Sequence, residues 1–584
     1  MSSDTRRWVT VQPLPLNSVK EPTPSPSQEG NTKSPLLGGD LGVGKLLRRW
    51  KARSKTATCL LFTIYFSLSV TGIIYAGDRT NIPLKNWGGF AINRSWIYDA
   101  LEKIVLAGLA DQALLNTKPM SRMEAARIVA QAVRRIEQDQ SNDYSDRGHI
   151  EDLLYKLIKE FSNELAEMGV RTPLNKEGQS RFLGLKPVDH IQFGSAFANN
   201  SQKTVTNLGK RFNEGINSDV TFDGRNQLGD FLSLYYQPEL SFDEDITEGR
   251  LVIGYAKLTL WNTELEVGRD SIWWGPGYRG SMLFSNNAPP LDQVRLSSAE
   301  PFRLPWVFEH LGPIKLTTFV GQLDDDREDF PDALVGGYRI SLAPSRFLEI
   351  GHGRAYQFGG KGRGYSIKDF PGTVFQFTTS EGVDDPDDPR AVNNVMSLDA
   401  TVRIPDVNRY IFIARDMSLY GEMGWDDTRK GWIYPKEPGG LVGTYLTGFL
   451  GDPKLDFRVE YTKTTSIMFT HGQYTDGFTH KDFVLSHFVG TDGNEIYARI
   501  SRWITDDILL GLQASKADVG PPKSGLLHLP REKRYSLGLD FSSRITDRSS
   551  IFLEYDFSRI HNNNFISGEK ENDHLFRVEF TYSF

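Results

Sequence analysis

The sequence predicts a transmembrane antiparallel β-barrel of about 18 strands, with 16 the neighbouring even count, preceded by a small periplasmic α-helical module. Three observations carry that expectation. From about Lys186 to the end, apolar and polar residues alternate with a period of two, and the polar positions include Arg, Glu and Asp in mid-strand. The last strand is aromatic: Phe576, Val578, Phe580, Tyr582 and Phe584 share one face, Arg577, Glu579, Thr581 and Ser583 the other. The mean hydropathy is −0.39 and only residues 60–75 form a long apolar run, which excludes a bundle of membrane-crossing helices.

The chain of 584 residues is too long for one small core, so more than one structural unit is expected. An aromatic content of 12% excludes disorder throughout, and a single Cys excludes a disulfide-stapled fold. The formal charge is −7, and the basic residues bunched before Ala76 leave the remainder more acidic still. Nucleic acid is therefore not an expected partner.

Residues 1–46, with EPTPSPSQEG and no periodicity, are expected to be a disordered extension or to precede the true start. Residues 47–76 have the layout of a secretory signal peptide: basic Arg48-Arg49-Trp50-Lys51, the apolar run, then small Ala76 at the cut. Cys59 has no lipobox around it, so a lipid anchor is not expected.

Residues 77–184 are expected to hold three helices. Ile97, Leu101, Ile104 and Val105 recur at helical spacing, with Gly108 as a stop. Ser121 and Glu124 form a capping box ahead of Ala125, Ile128, Val129 and Val133. Leu153, Leu154, Leu157, Ile158, Phe161 and Leu165 line a third helix that Gly169 can close. The segments Trp96-Ile97-Tyr98-Asp99-Ala100-Leu101 and Ser121-Arg122-Met123-Glu124 resemble an S-layer-homology-like unit, which implies contact with peptidoglycan. The competing expectation is a periplasmic plug or lid packed on its own apolar stripe.

Residues 185–584 form the barrel region. Leu455, Phe457, Val459 and Tyr461 alternate with Asp456, Arg458, Glu460 and Thr462, and Tyr535, Leu537, Leu539 and Phe541 alternate with Ser536, Gly538, Asp540 and Ser542. Charges in mid-strand are what a wet lumen permits, and outer-membrane lipid is the expected partner of the apolar face. The terminal Phe584 resembles the ending read by the barrel-assembly machinery. An even strand count puts both ends of the barrel in the periplasm. Long segments near 324–332, 359–393, 421–440, 517–533 and 560–573 then belong at the cell surface, and the short Thr546-Asp547-Arg548-Ser549 turn at the periplasmic rim. Between Thr464 and Asn494 the short TDGN turn conflicts with the parity, which asks for a long loop there.

The most distinctive stretch is Gly268-Arg269-Asp270-Ser271-Ile272-Trp273-Trp274-Gly275-Pro276-Gly277-Tyr278-Arg279, followed by Ser285-Asn286-Asn287-Ala288-Pro289. Tandem Trp can stack on sugar rings, Asn and Arg can bond hydroxyls or carboxylates, and Gly-Pro-Gly makes a tight turn. The alternative is that Trp273 and Trp274 belong to an aromatic girdle or fold a loop into the lumen. G-R-D-x-x-W-W-G-P-G with S-N-N-A-P resembles the Wzi-type capsule-assembly proteins, outer-membrane barrels with an N-terminal helical part. The resemblance implies a non-enzymatic surface lectin of the Gram-negative outer membrane that binds capsular or extracellular polysaccharide. The candidate glycan-binding residues are Arg269, Asp270, Trp273, Trp274, Tyr278, Arg279, Asn286 and Asn287, with Trp425, Trp432 and Tyr434 of an aromatic loop. The competing function is a substrate-selective porin, with sugars among its substrates.

No G-x-S-x-G elbow and no zinc-protease His pattern occurs, so neither an enzyme nor a bound metal or other cofactor is expected. The acid runs Asp324-Asp325-Asp326-Arg327-Glu328-Asp329 and Asp384-Asp385-Pro386-Asp387-Asp388 lack a ligand spacing for Ca²⁺ and read as solvated loops.

Overall fold

A computed structural model of the chain describes residues 78–84, 95–138, 148–170, 172, 183–243, 247–363, 392–429 and 434–584. The expected extension, the signal peptide, the second acid run and Trp432 lie outside these residues.

Eighteen antiparallel strands close into one barrel. In chain order they are β1 Leu183–Ala198, β2 Gly215–Leu228, β3 Leu232–Phe242, β4 Thr247–Leu260, β5 Thr263–Asp270 and β6 Leu291–Ser298. Next come β7 Ile314–Gln322, β8 Leu334–Ser345, β9 Leu348–Phe358, β10 Asn393–Ile404, β11 Asp416–Trp425 and β12 Gly439–Thr447. The last six are β13 Leu455–Lys463, β14 Asn494–Trp503, β15 Ile508–Val519, β16 Glu532–Thr546, β17 Ser549–His561 and β18 Lys570–Ser583. Closure is made by β1 against β18, in register from His190↔Ser583 to Ala198↔Leu575.

The period-two pattern sorts side chains as a membrane barrel requires. Leu537, Leu539 and Phe576 face outward and are exposed, whereas Asp540, Arg577 and Glu579 face inward and are buried. The lumen is not the wet channel that the mid-strand charges suggested. Its charges are paired from strand to strand: Arg295 with Glu266 of the neighbouring strand at 2.7 Å, and, reaching over one intervening strand, Arg339 with Asp399 at 2.8 Å and Arg499 with Asp540 at 2.6 Å. An inward carboxylate is tolerated in this crowded interior because it keeps a counter-charge and a donor.

Helices enter from the end with the short turns. Helix α1 (Trp96–Leu106) starts at Ser95, whose side chain accepts the Ile97 N–H, and stops at Gly108, whose φ is 75°. Helix α2 (Arg122–Gln138) is capped by Ser121, which accepts the Glu124 N–H at 3.2 Å. The expected third helix is two: α3 (Gly148–Glu160) and α4 (Ser162–Glu167), broken at Phe161. At the break Arg122 takes the Glu160 carbonyl at 2.7 Å and lies 4.9 Å over the Phe161 ring. The apolar stripes meet in a core that includes Leu101, Ile104, Ala125, Val129, Leu157 and Phe161.

The outer faces of these helices bind the barrel wall. Lys103 pairs with Asp456, Glu102 with Arg458, and Glu124 with Lys315. Lys159 pairs with Asp547 at 3.1 Å and Lys156 donates to the Asp506 carbonyl, both on periplasmic turns. Residues 78–84 climb the lumen wall, Arg225 of β2 holding Asp78 and the Asn81 side chain reaching Glu266 and Asp270 of β5. The module is thus a plug in the periplasmic mouth.

The segment from 464 to 493 is one connection, because β13 pairs directly with β14 from Leu455↔Arg502 to Lys463↔Asn494. The TDGN residues close its base instead of joining two barrel strands. Thr464 accepts the Gly493 N–H at 2.8 Å, and Thr491 donates to the Met468 carbonyl at 2.8 Å.

Candidate functional site

Three outer segments, 199–214, 271–290 and 464–493, fold inward and bind one another, and the second of them meets the plug. The motif loop, 271–290, leaves β5 at Asp270, which accepts from the Ser271 N–H, Asn81 and Arg295. Trp273 and Trp274 then pair antiparallel with Lys118 and Thr117 of the plug, and the Gly275 N–H donates to the Asn116 carbonyl at 2.9 Å. Gly275 has φ 149°, and a Cβ there would overlap Glu422 and Ser281, so the glycine lets the loop lie against β11. The Tyr278 and Arg279 N–H groups both donate to Glu460 of β13, at 2.8 and 3.1 Å. A single inward carboxylate therefore fixes the direction of both side chains.

The expected site residues do different work. Arg269 is on the outward register of β5 and makes a two-pronged pair with Asp292, at 2.7 and 2.8 Å, so it braces the barrel rim. Trp273 and Trp274 are 3% and 1% exposed. Trp273 is part of the plug core, and Trp274 packs edge-on against Phe284 and Phe319 at 5.2 and 5.4 Å. Neither indole face is open to a sugar. Asn286 and Asn287 tie loops together. The Asn286 carbonyl accepts the Leu208 N–H, while the Asn287 side chain accepts from Thr206 and donates to the Val484 carbonyl. Trp425 ends β11 and is buried; Tyr434 opens a short strand paired with Asp427–Arg429 in the loop beyond.

Of the described candidate residues in the motif loop, Tyr278 and Arg279 line cavities. Tyr278 stacks on Tyr497 at 6.0 Å, and the Arg458 guanidinium lies 4.6 Å from the centre of the Tyr278 ring. Arg279 lies 4.8 Å over Tyr497 and 5.3 Å from Phe488, and donates to Glu495 at 3.3 Å. Below Tyr278 is a ≈ 60 Å³ cavity whose floor is α1. Above Arg279 is a ≈ 90 Å³ cavity against β14–β18, with Tyr497, Gln513, Arg534, Asp556 and Arg577 in its wall and Phe488 and the 202–207 segment around it. Burial, with Arg279 alongside, lowers the His487 pKa to about 3, so this neighbour is a neutral imidazole.

Tyr497, Gln513, Arg534 and Asp556 were missed as site residues because they lie one each on four strands, β14 to β17, each looking like ordinary inward alternation. Their signal is collective: neighbouring strands carry polar inward residues at the same height. The first acid run is also not a free loop. Arg327 is buried, binds Asp329 at 2.9 Å and donates to the Gly477 and Thr479 carbonyls, while Asp324 accepts from His480 at 3.0 Å. Among the described residues Asp189, His190 and Asp223 have metal-ligating proximity, but Asp189 already binds Arg225 and Lys186. A divalent cation would have to displace both.

Comparison with known proteins adds an independent line. Residues 192–575 match the family model described as capsule assembly protein Wzi. An uncharacterized 55.8 kDa protein in the cps region of Klebsiella pneumoniae is 28% identical over 149 residues, 25% of this chain and 29% of that protein, so the match spans under a third of the relative. Among solved structures, Wzi of Escherichia coli, described as a carbohydrate-binding β-barrel involved in group 1 capsule assembly, superposes with a TM-score of 0.64 at 18% identity, covering 85% of this chain and 99% of that one. OprD of Pseudomonas aeruginosa gives 0.41 at 12% identity, over 68% and 93%. The barrel that places Tyr278 and Arg279 beside an outward-lying cavity is the part the family model covers: the chain belongs to the capsule assembly protein Wzi family.

Proposed function

We propose that this outer-membrane barrel is a non-enzymatic lectin that binds capsular or extracellular polysaccharide and holds it at the cell surface. The observation that carries the reading is the chemistry of the upper cavity, bordered by the Phe488 ring, serine hydroxyls, the Gln513 amide and guanidinium groups, whereas the larger space of ≈ 560 Å³ at the periplasmic end lies between the helices and the 544–550 turn. Aromatic faces and planar donors are what sugars offer partners to. The carbohydrate binding described for the Escherichia coli relative agrees with it.

In this reading the helices close the lumen. Peptidoglycan contact has less support, since α1 and α2 spend Glu102, Lys103 and Glu124 on the barrel wall. Outer-membrane lipid covers the outward apolar residues, and the barrel-assembly machinery reads the terminal strand. Deletion of the protein should shift polysaccharide from cells to medium, and purified barrel should be electrically silent in planar bilayers. Steady conductance with capsule retention unchanged would replace this reading with the porin.

A further inference from the structure

The upper cavity contains a cation whose hydrogen-bonding capacity the protein leaves unused. Arg534 projects inward from β16 with its side chain 22% exposed. Its nearest acid is Glu532, at 3.6 Å, too far for a hydrogen bond. Its Nε is shielded and has no hydrogen-bond partner, and among the described residues no group accepts from any of its nitrogens. A guanidinium carries five N–H donors in a planar fork.

The other charges around the same cavity are engaged. Arg577 is bound to Glu554, with Glu579 at 3.5 Å. Arg279 holds Glu495. Asp556 accepts from Gln513 at 3.4 Å, and Asp573 accepts from Asn200 at 3.0 Å. Lys203 donates to the Asp482 carbonyl at 3.0 Å. Arg534 differs in having an ion pair but no hydrogen bond, and it stands beside Ser536 and Ser558, whose hydroxyls are 2.7 Å apart. A half-buried guanidinium with one ion pair at 3.6 Å and no hydrogen bond has lost hydration and gained little for it. The group that would restore the balance is a planar anion taking two parallel N–H bonds. The cavity, ≈ 90 Å³, suits a charged substituent or one ring edge and not a polymer segment.

We infer that Arg534 is a specificity-determining residue for a carboxylate-bearing sugar, a uronate or an acidic substituent, inserted into the upper cavity. The inference rests on the polysaccharide-binding reading above. The carboxylate binds the Arg534 fork, the serine hydroxyls take ring hydroxyls, and the half-buried Phe488 borders the ring.

The test uses full-length protein in detergent micelles and two probes: polysaccharide purified from the producing cells, and the same material after carbodiimide activation and borohydride reduction of its carboxylates to alcohols. Reduction leaves any phosphate intact, so a phosphate-based attraction would survive it. At fixed physiological salt, wild-type protein should bind the native material on the order of tenfold tighter than the reduced material. Arg534→Gln should bind both at the reduced-material level, and Arg534→Lys should recover part of the difference, since it keeps the charge and loses the fork. Equal wild-type binding of the two materials overturns the proposal and leaves polysaccharide binding standing. Full discrimination by folded Arg534→Gln also overturns it. Binding of neither material by wild type removes the lectin reading and this inference with it. The wild-type comparison needs no variant to fold.

Discussion

The Lys103 ammonium on α1 sits 3.0 and 2.9 Å from the two carboxylate oxygens of Asp456 on β13, across 353 residues of sequence. Both side chains are buried, so the pair fastens the plug to the wall at a depth water does not reach freely. Breaking one side of such a pair strands the other charge. Lys103→Met should cost about 3–5 kcal/mol of plug docking, and Lys103→Met with Asp456→Leu should recover most of it. Protease resistance of the helical module against denaturant would show this. A double variant as weak as the single one would refute the stranded-charge account.

His149 on α3 packs 4.7 Å from Trp503, and neither ring nitrogen has a hydrogen-bond partner. Burial, with Lys103, Lys156 and Lys454 near, pulls its pKa from 6.5 down to about 2. The docked imidazole stays neutral while the undocked one takes a proton below pH 6.5. Docking is therefore complete above that pH and weakens as pH falls, by up to about 1.4 kcal/mol per unit. Glu160, which burial pushes up but Arg122 and Arg225 hold down to about 2, keeps its contribution until pH drops below its ordinary 4.5. Limited proteolysis between about pH 7.5 and 5 should show loosening that His149→Phe removes. Identical pH dependence in the variant would assign the loosening to another group.

The barrel was legible because lipid and lumen impose a rule on every second residue: Leu537 and Asp540 cannot exchange faces. Helix ends were legible at Ser121 and Gly108 because caps are local chemistry. The break at Phe161 was not, since it depends on Arg122 arriving from another helix. The same applies to the motif loop. Its Trp and Gly residues announce a departure from period two, yet whether an indole faces sugar or core depends on Phe284, Phe319 and the plug. Arg534 and Tyr497 carry no local signal, because the cavity exists only once five strands and three inserted segments are assembled.

Phe584 is 64% exposed on the outward register, and its N–H donates to the Asp189 carbonyl at 2.9 Å, next to the β1–β18 seam. Phe584→Asp keeps that backbone bond and replaces an interfacial aromatic with a charge. Folded yield should fall, read as loss of the fast-migrating species on unheated gels. The same folded fraction as wild type would count against the terminal aromatic as an assembly signal.

Trp274 and Arg534 should separate folding from recognition. Trp274 is enclosed by Phe284 and Phe319, and its removal leaves a void where the motif loop meets β7. Trp274→Ala should cost about 3–5 kcal/mol, while Trp274→Phe keeps part of the packing. Trp273→Ala opens the plug core instead, so its damage should appear in protease resistance of the helices. Polysaccharide binding should fall with folded yield in each Trp variant, and binding per folded molecule should stay near wild type. Arg534→Gln should do the reverse, with full yield and reduced discrimination. Normal folded yield with lost binding in Trp274→Ala would return the tandem tryptophans to the glycan site, through a conformation in which the motif loop swings out of the lumen.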